Sequence, residues 1–308
     1  MLAADTEIRN EINPGPGRIR SFFHAPSNTW SHVVSDPQTG KAAVIDPVLD
    51  YEANSGRTSA TSVEQIIVYL REHSMSLEWI LETHAHADHL SAANELKRAV
   101  GGRTAIGAGI VKVQSTFKRI YNLGADFVAD GRQFDRLLQD GDEIVLGDLT
   151  GKVLATPGHT SDSVTYLFGD AAFVGDTVFM PDGGTARCDF PGGDAAELYR
   201  SIRRLYQLPE NTRIFVCHDY PPDDRAPLDH ASVADHKQRN SHLSAATTEA
   251  AFIQFRKGRD ATLDLPALII PAVQVNIRAG CLPPAEDNGV AYLKVPLNLL
   301  GHKHKPLG

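Results

Sequence analysis

Thr83-His84-Ala85-His86-Ala87-Asp88-His89 decides how this chain is read. Three histidines and an aspartate stand within six positions, between an apolar run at 77–81 and a helix expected from near 89 to 100. In an extended chain side chains alternate with period two, so His84 and His86 point the same way. Asp88 and His89 open the helix and turn back toward them. Imidazole and carboxylate together suit zinc or iron. The competing reading is a polar turn whose histidines only cap the helix.

Three further segments carry the same kinds of residue. They are Thr156-Pro157-Gly158-His159-Thr160, Gly175-Asp176-Thr177 and Cys217-His218-Asp219-Tyr220. Each is ambiguous alone: a histidine after Pro-Gly is usually a loop residue, and Gly-Asp-Thr is an ordinary type I turn. Their placement is more informative. His84, His159, Asp176 and His218 each follow an apolar run expected to be a strand, and strand ends feeding loops are where α/β folds build sites.

The expected strands are 28–34, 42–45, 77–81, 143–146, 151–155, 163–168, 171–174 and 213–217, with turns between them. Helices are expected at 62–73, opened by a Ser62 cap with Gln65 three residues on, at 194–208, opened by Asp194, and at 247–263. After Gly101-Gly102 the pattern reads as short strands and loops, and 268–277 reads as a final extended segment. Strand blocks separated by single helices indicate layered sheets between helices.

Composition sets the limits. The chain has 308 residues, 42% hydrophobic and 22% charged, enough for one large domain with an extension or for two domains. The boundary is drawn at 222: a catalytic core at 1–222 and a C-terminal extension at 223–308 packed on it. A net charge of −8 disfavours a nucleic-acid surface, which needs a basic stripe. No run of 18 apolar residues occurs, so no membrane span is expected. The N-terminus lacks an apolar signal core, and Asp5, Glu7 and Glu11 argue against a transit peptide. Cys188, Cys217 and Cys281 form no C-x-x-C pair, which suits a reducing compartment. The expected location is the cytoplasm. His24, His32, His73, His230, His236 and His242, with His302 and His304 in the tail, are taken as surface or satisfied polar residues.

Taken in order, T-H-x-H-x-D-H, P-G-H-T, G-D and a strand ending in H-D-Y resemble the metallo-β-lactamase superfamily over residues 28–220. The resemblance implies an α/β fold, the αββα sandwich, with metal at one edge between the two sheets. It offers two metal sites: His84, His86 and His159 with bridging Asp176, and Asp88, His89 and His218 with Asp176. Within the superfamily, Gly183-Gly184-Thr185-Ala186-Arg187-Cys188-Asp189-Phe190 resembles the G-R-T-D-F segment of persulfide dioxygenases. His218-Asp219-Tyr220, Pro191-Gly192-Gly193-Asp194, and the tail Val275-Asn276-Ile277-Arg278-Ala279-Gly280 with Pro283-Pro284 and Asn288-Gly289 look like the same branch. Cys188 departs from it, standing where threonine is common.

That branch implies a single Fe(II) per chain on His84, His159 and Asp176, the facial triad of non-haem oxygenases, with zinc as the alternative. The implied partners are glutathione persulfide and O2, the products sulfite and glutathione. His86, Asp88, His89 and His218 then surround the ligands, or form a second metal site. Arg187 is the candidate for a substrate carboxylate, against a structural pair with Asp189. Tyr220 and His218 are the candidate catalytic groups, with half-buried packing as the rival for Tyr220. A homodimer is expected from the apolar stretch at 265–275. The rival functions are a glyoxalase II-like dinuclear thioester hydrolase, another hydrolase of the fold, and a non-catalytic metal-binding protein.

Overall fold

A computed structural model describes residues 17–222 and 225–301. His302, His304 and the acidic N-terminal residues lie outside them. Two six-stranded sheets face each other. The first runs Arg18–His24, Thr29–Ser35, Lys41–Ile45, Ser76–Leu81, Arg103–Gly107 and Arg136–Leu138. Its first three strands are antiparallel and the later ones join in parallel. The second runs Glu143–Leu146, Leu149–Ala155, Val164–Phe168, Ala171–Phe173, Arg213–Phe215 and His230–Ser232. Ala171–Phe173 and Arg213–Phe215 pair in parallel; the other neighbours are antiparallel. A small sheet joins Arg57–Ser59, Val48–Glu52 and Leu90–Ser91.

The helices are α1 (Thr61–Glu72), α2 (Ala93–Val100), α3 (Ile110–Ile120), α4 (Ala195–Leu205), α5 (Val233–Arg239), α6 (Glu249–Asp260) and α7 (Ile269–Asn276). Between the sheets, Val34, Ala43, Ile45 and Leu81 meet Val153, Tyr166, Phe168, Phe173 and Phe215. Outside the first sheet, Ile66 and Leu70 of α1, Leu96 of α2 and Val275 of α7 cover Val33, Val44 and Ile80. Outside the second, Leu198 and Ile202 of α4 and Phe252 of α6 cover Leu154, Ala172 and Ile214. Each sheet therefore buries both faces, and the layers are helix, sheet, sheet, helix, as the sequence implied.

Four expectations are corrected. The Ser62 cap does not form: α1 starts at Thr61, and Asp50 takes the Ser62 amide at 2.8 Å from the neighbouring strand. The helix expected near His89 begins at Ala93, because Leu90–Ser91 first pairs with Val48 and Leu49. Residues 110–120, expected as strands and loops, form α3, burying Ile110, Val113 and Phe117 at helical spacing. The glycines before it masked that period. Residues 268–277 contain α7 instead of an extended segment. An apolar run buried on most sides carries no period to tell helix from strand. Pro271 sits in its first turn, where no intrahelical N–H is needed.

One buried histidine makes stability depend on pH. Burial in α5 outweighs Asp235 and pushes His236 down to about 4. The unfolded chain protonates it near about 6.5, so between those values the unfolded state binds more protons and stability falls with falling pH. The loss at about pH 5 is about 2 kcal/mol. Urea midpoints compared at pH 7 and pH 5 should show a smaller difference in His236→Gln than in the parent. An equal difference would mean that the ring is protonated in the folded chain.

Candidate metal centre

The polar residues singled out in the sequence meet at one edge of the two sheets. The 83–89 loop follows Ser76–Leu81, His159 follows Leu149–Ala155, Asp176 follows Ala171–Phe173 and His218 follows Arg213–Phe215. His84 Nε2 lies 3.9 Å and His159 Nε2 3.7 Å from Asp176 Oδ2. These separations are too long for hydrogen bonds. They are within reach of one ion, since two bonds of about 2.1 Å span up to about 4.2 Å. The ligand atoms of His84, His159 and Asp176 all lie within 4.8 Å of one another.

Both imidazoles are held in the tautomer a metal needs. His159 Nδ1 donates to the Arg187 carbonyl at 2.7 Å. Thr83 Oγ1 gives its proton to Asp46 Oδ2 at 2.8 Å, so it accepts from His84 Nδ1 at 3.1 Å. Each Nε2 thus keeps its lone pair toward Asp176. Burial, then the charge of His86, holds His84 well below the usual histidine range, so it stays neutral and free to ligate.

Around this triad the remaining histidines sort by partner. His86 Nε2 faces Asp46 at 3.0 Å and Glu82 at 3.4 Å. Burial opposes its cation, but Asp46 prevails and raises it well above the usual range. His218 Nε2 faces Asp88 at 3.1 Å and Asp176 at 3.6 Å, and these carboxylates raise it in spite of burial. Burial, then His86, lowers His89. His86 Nδ1, His89 Nε2, His218 Nε2 and Asp176 Oδ1 are buried without a hydrogen-bond partner. Orphaned polar atoms of this kind, converging at one place, are what a bound cation satisfies. Nitrogen and carboxylate donors fit iron or zinc. His86, His89 and His218 also form a second group with the buried Cys217.

The two substrate-side candidates are placed less favourably. Arg187 grips Asp189 with Nε at 2.6 Å and Nη2 at 2.7 Å, and gives Nη1 to the Asp264 carbonyl at 2.5 Å. Its guanidinium is engaged as the structural pairing anticipated, and its carbonyl serves the centre through His159. Tyr220 is half exposed and stacks on His218 at 5.7 Å between ring centres, with Phe179 edge-on to it. Phe190 meets the His159 ring edge-on at 5.5 Å.

Several residues that build the site were not read from the sequence. Asp46 anchors Thr83 twice and His86 once. It follows the Lys41–Ile45 strand, so the strand-end rule that selected His84 would also have selected it. Asp162 accepts the Ala85 amide at 2.8 Å. Asn276 of α7 donates to the His86 and His89 carbonyls, both at 2.8 Å, fixing the loop from beyond residue 222. Local patterning gives no signal for Asn276.

The fold and the donor cluster agree with what known sequences show. The signature described as the Metallo-beta-lactamase superfamily matches residues 24–218. The chain belongs to the metallo-beta-lactamase superfamily. It is 50% identical to a probable metallo-hydrolase of Burkholderia pseudomallei, over 92% of this chain and 99% of that protein. It is 48% identical to glyoxylase B2 of Dictyostelium discoideum, over 92% and 98%. Persulfide dioxygenase ETHE1 of Bos taurus is 29% identical over 87% of this chain and 91% of its own length. The crystal structure of ETHE1 from Myxococcus xanthus superposes with a TM-score of 0.68 at 30% identity, covering 85% of this chain and 99% of that one. The resemblance to the persulfide dioxygenase branch thus extends to three dimensions. The chain is a metalloenzyme of this superfamily. Among the described residues no helix is long and apolar enough to cross a membrane.

Proposed function

We propose that the chain is a persulfide dioxygenase, with Fe(II) held by His84, His159 and Asp176. The observation that carries the reading is the compact two-histidine, one-carboxylate group with both imidazole tautomers fixed, set apart from histidines that are paired with acids. Such a triad leaves coordination positions open, and iron there supplies electron exchange with sulfur and O2. Glutathione persulfide, O2 and water give glutathione and sulfite. The outer sulfur loses four electrons, one O2 accepts them, water supplies the third oxygen of sulfite, and protons are released.

This chain's residues do the rest. Thr83 and the Arg187 carbonyl orient the two imidazoles. Asp88 Oδ2 lies 3.1 Å from His218 Nε2 beside Asp176, and this acid–imidazole pair takes part in proton release. Phe179 and the Tyr220 ring pack against His218, and Phe190 against His159, setting apolar surface beside the donor cluster. Arg187 reaches a substrate carboxylate only by releasing Asp189.

A dinuclear thioester hydrolase is the second reading. The unpartnered His86 Nδ1, His89 Nε2 and His218 Nε2 favour it, as do the names of the glyoxylase and metallo-hydrolase relatives. An oxygen electrode separates the two. Addition of glutathione persulfide should draw down O2 with matching sulfite, while S-lactoylglutathione is left intact. Thioester hydrolysis with no O2 consumption would sink the dioxygenase reading.

A further inference from the structure

The peptide joining Arg187 to Cys188 is bound at both ends. Its carbonyl accepts from His159 Nδ1 at 2.7 Å. Its amide donates to Asp260 Oδ2 at 2.9 Å. The other oxygen of Asp260 takes Arg256 Nη2, one turn back on α6, and Arg256 Nη1 donates to the Thr185 carbonyl at 3.1 Å. Arg256 is 1% and Asp260 4% exposed. We propose that Asp260 is a positioning residue for His159, acting through the Arg187–Cys188 peptide.

The physical reason is peptide resonance. A carboxylate that accepts from the N–H draws electron density toward the carbonyl oxygen of the same unit, and hydrogen bonds in such a chain strengthen one another. The carbonyl becomes a better acceptor for His159 Nδ1–H. His159 Nε2 becomes a stronger donor toward the point it shares with Asp176. Ligating histidines commonly lean on a carboxylate directly; here a peptide stands between the two. A buried ion pair is weak evidence of stabilisation in itself, since an apolar pair often serves as well. Anchoring the loop alone would need only a neutral acceptor. Asp260 lies beyond the matched residues 24–218, so this support comes from the C-terminal part of the chain. The inference rests on His159 as a ligand and holds whichever reaction the centre performs.

Cobalt(II) is the probe. Its unpaired electrons move the exchangeable Nδ1–H protons of ligating histidines out of the main NMR envelope, where each is followed separately. In Asp260→Asn the His159 proton should shift while that of His84, held by Thr83, stays in place. Co(II) binding should weaken about 10–100-fold. An unmoved His159 proton with undiminished affinity overturns the proposal. Should Asp260→Asn fail to fold, Arg256→Met combined with Asp260→Leu removes both charges together and should give the same shift and loss. Parental affinity in that folded double variant would likewise overturn it. The unsubstituted protein gives a further reading: the His159 proton should exchange slowly with deuterium oxide, and immediate exchange would show that no strong acceptor holds it.

Discussion

Asp176→Ala should leave the protein folded and without metal, with turnover below detection. Asp176 Oδ2 is the point shared by His84 and His159, at 3.9 and 3.7 Å, and Oδ1 faces His218 at 3.6 Å. The substitution removes the only carboxylate of the triad. It also removes one of the two carboxylates that face His218, so the site loses negative charge that favours a cation. The loss should exceed the about 10–100-fold that follows from removing a partner of a ligand. His86→Ala provides the contrast: Nε2 of His86 is already committed to Asp46 and Glu82, so this variant should keep most metal while losing rate. Metal analysis after gel filtration, with sulfite formation, reads both. Full metal and activity in Asp176→Ala would show that the triad is misassigned. Loss of half of a two-metal content in His86→Ala would point to a dinuclear centre.

Gly158→Ala should destabilise the whole fold by on the order of 4 kcal/mol or more, among the large effects known for single substitutions. Gly158 has φ +133°, in the region that favours glycine, and a Cβ there would stand 2.2 Å from Leu198 N and 2.3 Å from Leu198 Cα. Leu198 lies in the first turn of α4, and its backbone cannot give way as a side chain would. The turn is pinned on both sides: Asp194 N donates to the Gly158 carbonyl at 2.8 Å, and Ser201 Oγ to the Pro157 carbonyl at 2.6 Å. Relief of the overlap must therefore move α4 or His159. Thermal unfolding should fall by about 6 °C or more. Gly258→Ala is the matched control, an exposed position in α6 with open space around the added methyl. It should stabilise by about 0.5–1 kcal/mol. A Gly158→Ala protein that melts with the parent would contradict the close approach of α4.

The donor cluster was legible because each of its members follows an apolar strand: His84 after Ser76–Leu81, His159 after Leu149–Ala155, Asp176 after Ala171–Phe173. That rule needs only local pattern, and it also served for the layered architecture. It fails where burial removes the pattern, as at α7, or where glycines hide it, as at α3. It also fails for groups that act across long stretches of chain. Asn276 holds the metal-loop carbonyls from 187 and 190 residues away, and Asp260 reaches the Cys188 amide from 72. Arg187 illustrates the limit differently. Its type suggested a carboxylate of the substrate, whereas its guanidinium sits on Asp189 and its backbone oxygen is what touches the centre. Side-chain chemistry is written in the sequence; a backbone carbonyl is the same at every position and gives no mark of its use.

The most direct measurement is an anaerobic titration of metal-free protein with Fe(II), followed by metal counting and O2 uptake on addition of glutathione persulfide. One iron per chain should bind, and uptake should rise in proportion to it and saturate at that point, with one sulfite formed per O2. Saturation only at two metals per chain, with no persulfide-dependent uptake at any loading, would contradict a mononuclear dioxygenase on His84, His159 and Asp176.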